Sequence, residues 1–119
     1  MTYVQITGDY ELGCVTESVV YWCIDHFGIE PSRVNISIKN SIQGKRMGCW
    51  GTCEEGDRSH TYDIAVVAAQ PLRDFIATVV HEMVHVKQWE KNRWSGDGEK
   101  EAAKLQYKLT DKMWKEGKI

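Results

Sequence analysis

The stretch Thr78–Gln88, TVVHEMVHVKQ, restricts the fold more than any other part of the chain. It holds His81-Glu82-x-x-His85, a spacing that carries chemical meaning on an α-helix. Residues four apart lie on one helix face, about one turn along the axis. Two imidazoles so placed can share one metal ion. Glu82, next to the first, is placed to take a proton from a water held there. The flanks agree with a helix. Pro71 suits a helix start, and apolar residues at 72, 75, 76, 79, 80, 83, 84 and 86 recur at helical spacing. The motif is therefore expected on a helix that runs to about Lys91 and buries its other face. A core helix with two incidental histidines is the plainer alternative, and a third ligand would separate the two.

Catalytic zinc usually has three protein ligands and one open position. Asp97, Glu99 and Glu101 all follow the motif helix, at or just after the glycine-containing turn Trp94–Gly98. That turn lets the chain reverse and lay a last helix, Glu99 to Lys115, along the motif helix. His60 is a further candidate from upstream. Acids in a first helical turn also stabilise the helix dipole without any metal, so the residues alone leave the third ligand open.

Rather than extreme composition, the chain has 119 residues, 42% hydrophobic and 27% charged, with net charge −2. Those values fit one folded domain, 1–119, with a modest core. The late lysines and arginines are interleaved with acids, which reads as a solvated helix face and disfavours a nucleic-acid partner. The N-terminal residues lack the charged and apolar regions of a secretory signal, and no run is long enough for a membrane span. A cytoplasmic protein without membrane attachment is expected. In such a compartment Cys14, Cys23, Cys49 and Cys53 are expected as free thiols. A disulfide, or a second zinc site using Cys49-x-x-x-Cys53, is the lesser alternative.

Further elements follow from local pattern. Tyr3 to Ile6 reads as a short strand. Thr16 is expected to cap a helix whose apolar side runs from Val19 to Phe27, ended by Gly28. Arg33–Asn40 alternates, with Val34, Ile36 and Ile38 on one side, as in a half-buried strand. Ser41–Gly44 reads as a turn, Lys45–Thr52 as a bent second strand, and His60–Ala68 as a third. The order predicts an α+β domain: a small, mostly antiparallel sheet of about three strands, packed by an N-terminal helix, the motif helix and a C-terminal helix.

His81-Glu82-x-x-His85 followed by Glu99-x-x-Ala102 resembles the compact gluzincin pattern, H-E-x-x-H and then E-x-x-A on the next helix. Small bacterial and phage-encoded zinc metallopeptidases of the minigluzincin and ImmA/IrrE type carry it. The layout is similar over residues 16–110, the motifs over about 25 residues. The resemblance implies a zincin-like fold, Zn2+ as cofactor, His81, His85 and Glu99 as ligands, and Glu82 as general base. The position four after the ligand glutamate, often Asp or Asn in that family, is Ala103 here, which keeps Glu101 and Asp97 as alternatives.

The expected activity is hydrolysis of a peptide or protein substrate by a metal-activated water. Tyr62, Tyr107 and His60 are the candidates for an additional oxyanion donor, against the commoner role of such side chains in packing. By resemblance, an edge strand within residues 45–68 would take the peptide by β-addition. Gln88 and Trp89 are expected either to shape the cleft wall or to cap the core. The alternative function is a non-catalytic metal-binding or regulatory interaction protein on the same fold. The sequence carries no signal for substrate identity or oligomeric state.

Overall fold

The computed structural model describes residues 1–94 and 96–119; Ser95, within the loop expected before the last helix, lies outside them. The element order is β1 (Tyr3–Thr7), α1 (Tyr10–Phe27), β2 (Arg33–Lys39), α2 (Ser41–Met47), β3 (Gly51–Glu55), β4 (Thr61–Val67), α3 (Leu72–Lys91) and α4 (Glu99–Lys115). The α+β expectation holds, and the sheet differs from it. Four strands lie in the order β1-β2-β4-β3. β2 runs parallel to β1 and to β4, and only β3 pairs antiparallel, with β4.

The correction from a three-stranded, mostly antiparallel sheet has a physical cause. Alternation along a strand reports which side is covered and says nothing of direction. Val34, Ile36 and Ile38 of β2 and Tyr62, Ile64 and Val66 of β4 all enter the core. The facing positions are polar: Asn35 donates to Asp63 at 3.0 Å, and Arg33 donates to Asn35 at 2.7 Å. Direction is set by the connections. Parallel strands need a long crossover, and α1 supplies one between β1 and β2. The segment α2–β3 then carries the chain back, so that β4 starts beside β2 in the same direction.

Two elements depart from the sequence reading. Asp9, not Thr16, caps α1: its Oδ1 accepts from the Leu12 amide at 2.9 Å. Thr16 lies inside the helix, buried, and donates to the Leu12 carbonyl at 2.6 Å. Residues 41–47, expected as a turn running into a strand, form α2. Asn40 and Gln43 make a reciprocal capping box, each side chain bonded to the other's backbone amide at 2.9 Å. α2 buries none of its residues, so no apolar period announced it.

α3 fixes the site. Phe75, Ile76, Val79, Val80, Met83, Val84 and Val86 are each at most 1% exposed. Full burial of such a side chain contributes roughly 1.5–3 kcal/mol, so the rotation of α3 about its axis is held by the core. Asn92, in the left-handed conformation at φ 51°, ends the helix. Among the described residues no helix is long and apolar enough to cross a membrane.

Candidate metal centre

With the buried face of α3 turned to the sheet, His81 and His85 are turned to α4 and to a cleft. Their side chains are 18% and 12% exposed, and the rings stand 5.2 Å apart at 74°. Glu99, the first residue of α4, faces both. Its Oε2 lies 2.8 Å from His81 Nε2 and its Oε1 lies 3.1 Å from His85 Nε2. Ligand atoms of His81, His85 and Glu99 lie within 4.8 Å of one another and could hold a metal ion.

The donor set fits a divalent cation. His81 Nδ1 lies 2.6 Å from Gln106 Oε1, and His85 Nδ1 lies 2.9 Å from Gln88 Oε1. All four ring nitrogens thus face oxygen. Two neutral imidazoles offer only two N–H donors. With the Nδ1 hydrogens given to the glutamines, the two Nε2 lone pairs and the Glu99 carboxylate point at one another, an arrangement that a cation between them resolves. Two histidines and a carboxylate suit zinc and also accept other first-row dications.

Glu101 and Asp97, the alternatives to Glu99, are engaged elsewhere. Glu101 accepts from Lys87 Nζ and from Gln88 Nε2, both at 2.9 Å. Those bonds hold its carboxyl below the usual carboxylate range. Asp97 Oδ1 accepts from the Glu99 amide at 3.0 Å, which orders the first turn of α4.

Glu82 is 5% exposed. Burial pushes its carboxyl up to about 7; the neighbouring His85 opposes the shift and Glu99 adds to it. Gly51 of β3 lets the strand pass this close. A Cβ there would stand 2.8 Å from Glu82 Oε2 and 2.7 Å from Thr78 Cγ2.

The cleft beside these residues has a volume of about 740 Å³ and runs between β3 and α3, with the α3–α4 loop at one end. Trp50, Trp94, Cys49 and Cys53 line it together with the two histidines, Glu82 and Glu99. Cys49 is exposed and Cys53 partly buried, Cys14 is exposed and Cys23 lies in the core; all four are free thiols. Burial raises the Cys23 and Cys53 thiols far above their ordinary range.

Tyr62, His60 and Tyr107 do not line this cleft, so the structure does not bring the expected oxyanion donors to the candidate metal centre. Tyr62 donates to Glu90 Oε2 at 2.5 Å and stacks on Trp89, and His60 Nδ1 lies 2.7 Å from the same oxygen. Tyr107 donates to Asp74 at 2.5 Å beneath Arg73. Each polar tip is satisfied by a carboxylate elsewhere on α3. The sequence reading missed Gln106, which meets His81. Its signal was a position seven after Glu99, two turns along the same face of α4. It also missed the glycines at 51 and 98 as points of close approach. Gln88, expected at the cleft wall or as a cap, lines the cleft and touches His85.

Compared with protein-family models, with curated proteins and with solved structures, the chain gives no match.

Proposed function

We propose that this protein is a zinc-dependent peptidase. One observation carries the reading: His81 Nε2, His85 Nε2 and the Glu99 carboxylate converge at the wall of an open cleft, with the buried carboxylate of Glu82 beside them. When bound there, a zinc ion supplies Lewis acidity that polarises a carbonyl and acidifies a water. The rest is done by the chain. Glu82, its carboxyl raised towards neutrality, takes up a proton at its carboxylate and returns it to the leaving amine. Glu82 is itself 5% exposed, so its carboxyl is shielded from bulk water by the protein around it. Among the described residues β3 pairs on one edge only, with β4, and its other edge offers backbone groups for an extended peptide.

The test is Glu82→Gln beside wild type, with zinc content and hydrolysis of a mixed peptide library measured on the same samples. The variant is expected to keep its zinc and to lose at least about 100-fold in cleavage rate, the scale of a general base. Equal cleavage by both proteins would remove Glu82 from its role. Zinc uptake without cleavage by wild type would replace the peptidase with a metal-binding protein.

A further inference from the structure

Gln88 is 4% exposed, and both ends of its carboxamide are hydrogen-bonded. Nε2 donates to the Gly98 carbonyl at 2.9 Å and to Glu101 Oε1 at 2.9 Å, while Oε1 lies 2.9 Å from His85 Nδ1. The two ends of an amide are told apart by their partners. Here one end meets a backbone carbonyl and a carboxylate, which accept hydrogen bonds, so that end is the NH2 group. The other end is therefore the carbonyl oxygen, and the His85 nitrogen facing it must carry the hydrogen. The lone pair of a neutral His85 is then on Nε2, the nitrogen that faces Glu99.

The same carboxamide ties down the third ligand. Gly98 immediately precedes Glu99, and its carbonyl is bonded to α3 through Gln88. Gly98 has φ +80°, and a Cβ there would overlap the Gln88 carboxamide. A side chain at position 98 would thus be strained and would displace the Gln88 carboxamide from its bonds.

We infer that Gln88 is the positioning residue of the metal centre: one buried carboxamide selects the nitrogen that His85 offers to a divalent cation and fixes the start of α4, on which Glu99 stands. This rests on the metal site of the preceding reading and not on its peptidase chemistry. Partners that orient a ligating histidine usually matter 10- to 100-fold in metal affinity.

Gln88→Met keeps the length and volume of the side chain and removes its three hydrogen bonds. Zn2+ affinity is measured by competition with a chromophoric chelator, and the Co2+-loaded proteins are compared by visible absorption. The expected result is an affinity lower by about 10- to 100-fold, with altered cobalt bands. A residue that only packed the helix ends would lower the melting temperature and leave affinity and spectrum as in wild type, and that result overturns the assignment. A second measurement needs no variant. Imidazole 15N–1H correlation spectra of zinc-loaded wild type are expected to show His85 with hydrogen on Nδ1 and metal on Nε2. Metal on Nδ1 overturns the assignment, and wild type that takes up no zinc overturns it together with the peptidase. Peptidase activity is not a readout here, so a chain that binds zinc and cleaves nothing bears on the preceding proposal alone.

Discussion

At Glu82, burial and charge are in conflict. Its folded-state value near 7 stands above the ordinary 4.5, chiefly through desolvation. A carboxyl raised on folding binds its proton more tightly in the native state. Its contribution to stability is therefore fully present below about 4.5 and is lost as pH rises through about 7. Chelator-treated wild type is expected to melt at progressively lower temperature across that window, and Glu82→Gln to show a flatter profile. Parallel profiles for the two proteins would show that this carboxyl is not the source. A bound dication adds positive charge beside Glu82 and works against the shift, so the contrast belongs to the metal-free chain. At this scale His81, Glu82 and His85 were legible because a four-residue spacing on one helix is a local fact. Glu99 against Glu101 was not. Two positions apart on a helix are separated by about 200° of rotation, and the phase of α4 against α3 follows from tertiary contacts, among them that of Gly98 with Gln88 and the burial of Leu109 and Met113. No local pattern encodes those contacts. Tyr62, Tyr107 and His60 lie away from the cleft for a related reason: chemistry suggests the residue types, and only packing decides where they lie.

Among the elements, α3 was readable from its dense apolar period, and its span of Leu72–Lys91 lies within a residue or two of the expected one. α1 was read too short because Tyr10, Glu11 and Cys14 are exposed and Gly13 interrupts the pattern. α2 was missed because a capping box holds it while its side chains stay outside the core. Strand direction was misread because inward alternation at Val34, Ile36 and Ile38 is the same for either direction. α4 has a double task, since its first residue faces the two histidines of the candidate metal centre while Leu109 and Met113, 4% and 0% exposed, seat its far end in the core. Met113→Ala is expected to cost about 2–5 kcal/mol in unfolding free energy. It should also weaken zinc binding, although it lies about four turns from Glu99. Denaturant titration and chelator competition on the same variant check both parts. Lost stability with unchanged zinc affinity would mean that Gly98 and Gln88 alone hold the start of the helix.

For the molecule as a whole, a candidate ligand set drawn from α3 and α4 would make metal binding and folding one equilibrium. Zinc at a hundredfold excess over its dissociation constant is expected to add about 2.7 kcal/mol of stability. Calorimetric melting with and without chelator measures it. The gain in amide protection should concentrate on residues 81–88 and 96–106, the segments that meet at the site. An unchanged melting temperature would remove the coupling.

Trp50 and Trp94 are 57% and 48% exposed, one beside β3 and one in the α3–α4 loop, and both line the cleft. Indoles in water emit at longer wavelength than indoles in a dry setting. A chain segment lying in the groove would cover both, so the protein carries its own dye for occupancy. A blue shift on adding peptide to zinc-loaded Glu82→Gln, absent from Trp50→Phe/Trp94→Phe, would report filling of the groove in real time; an unshifted spectrum would mean that nothing settles there.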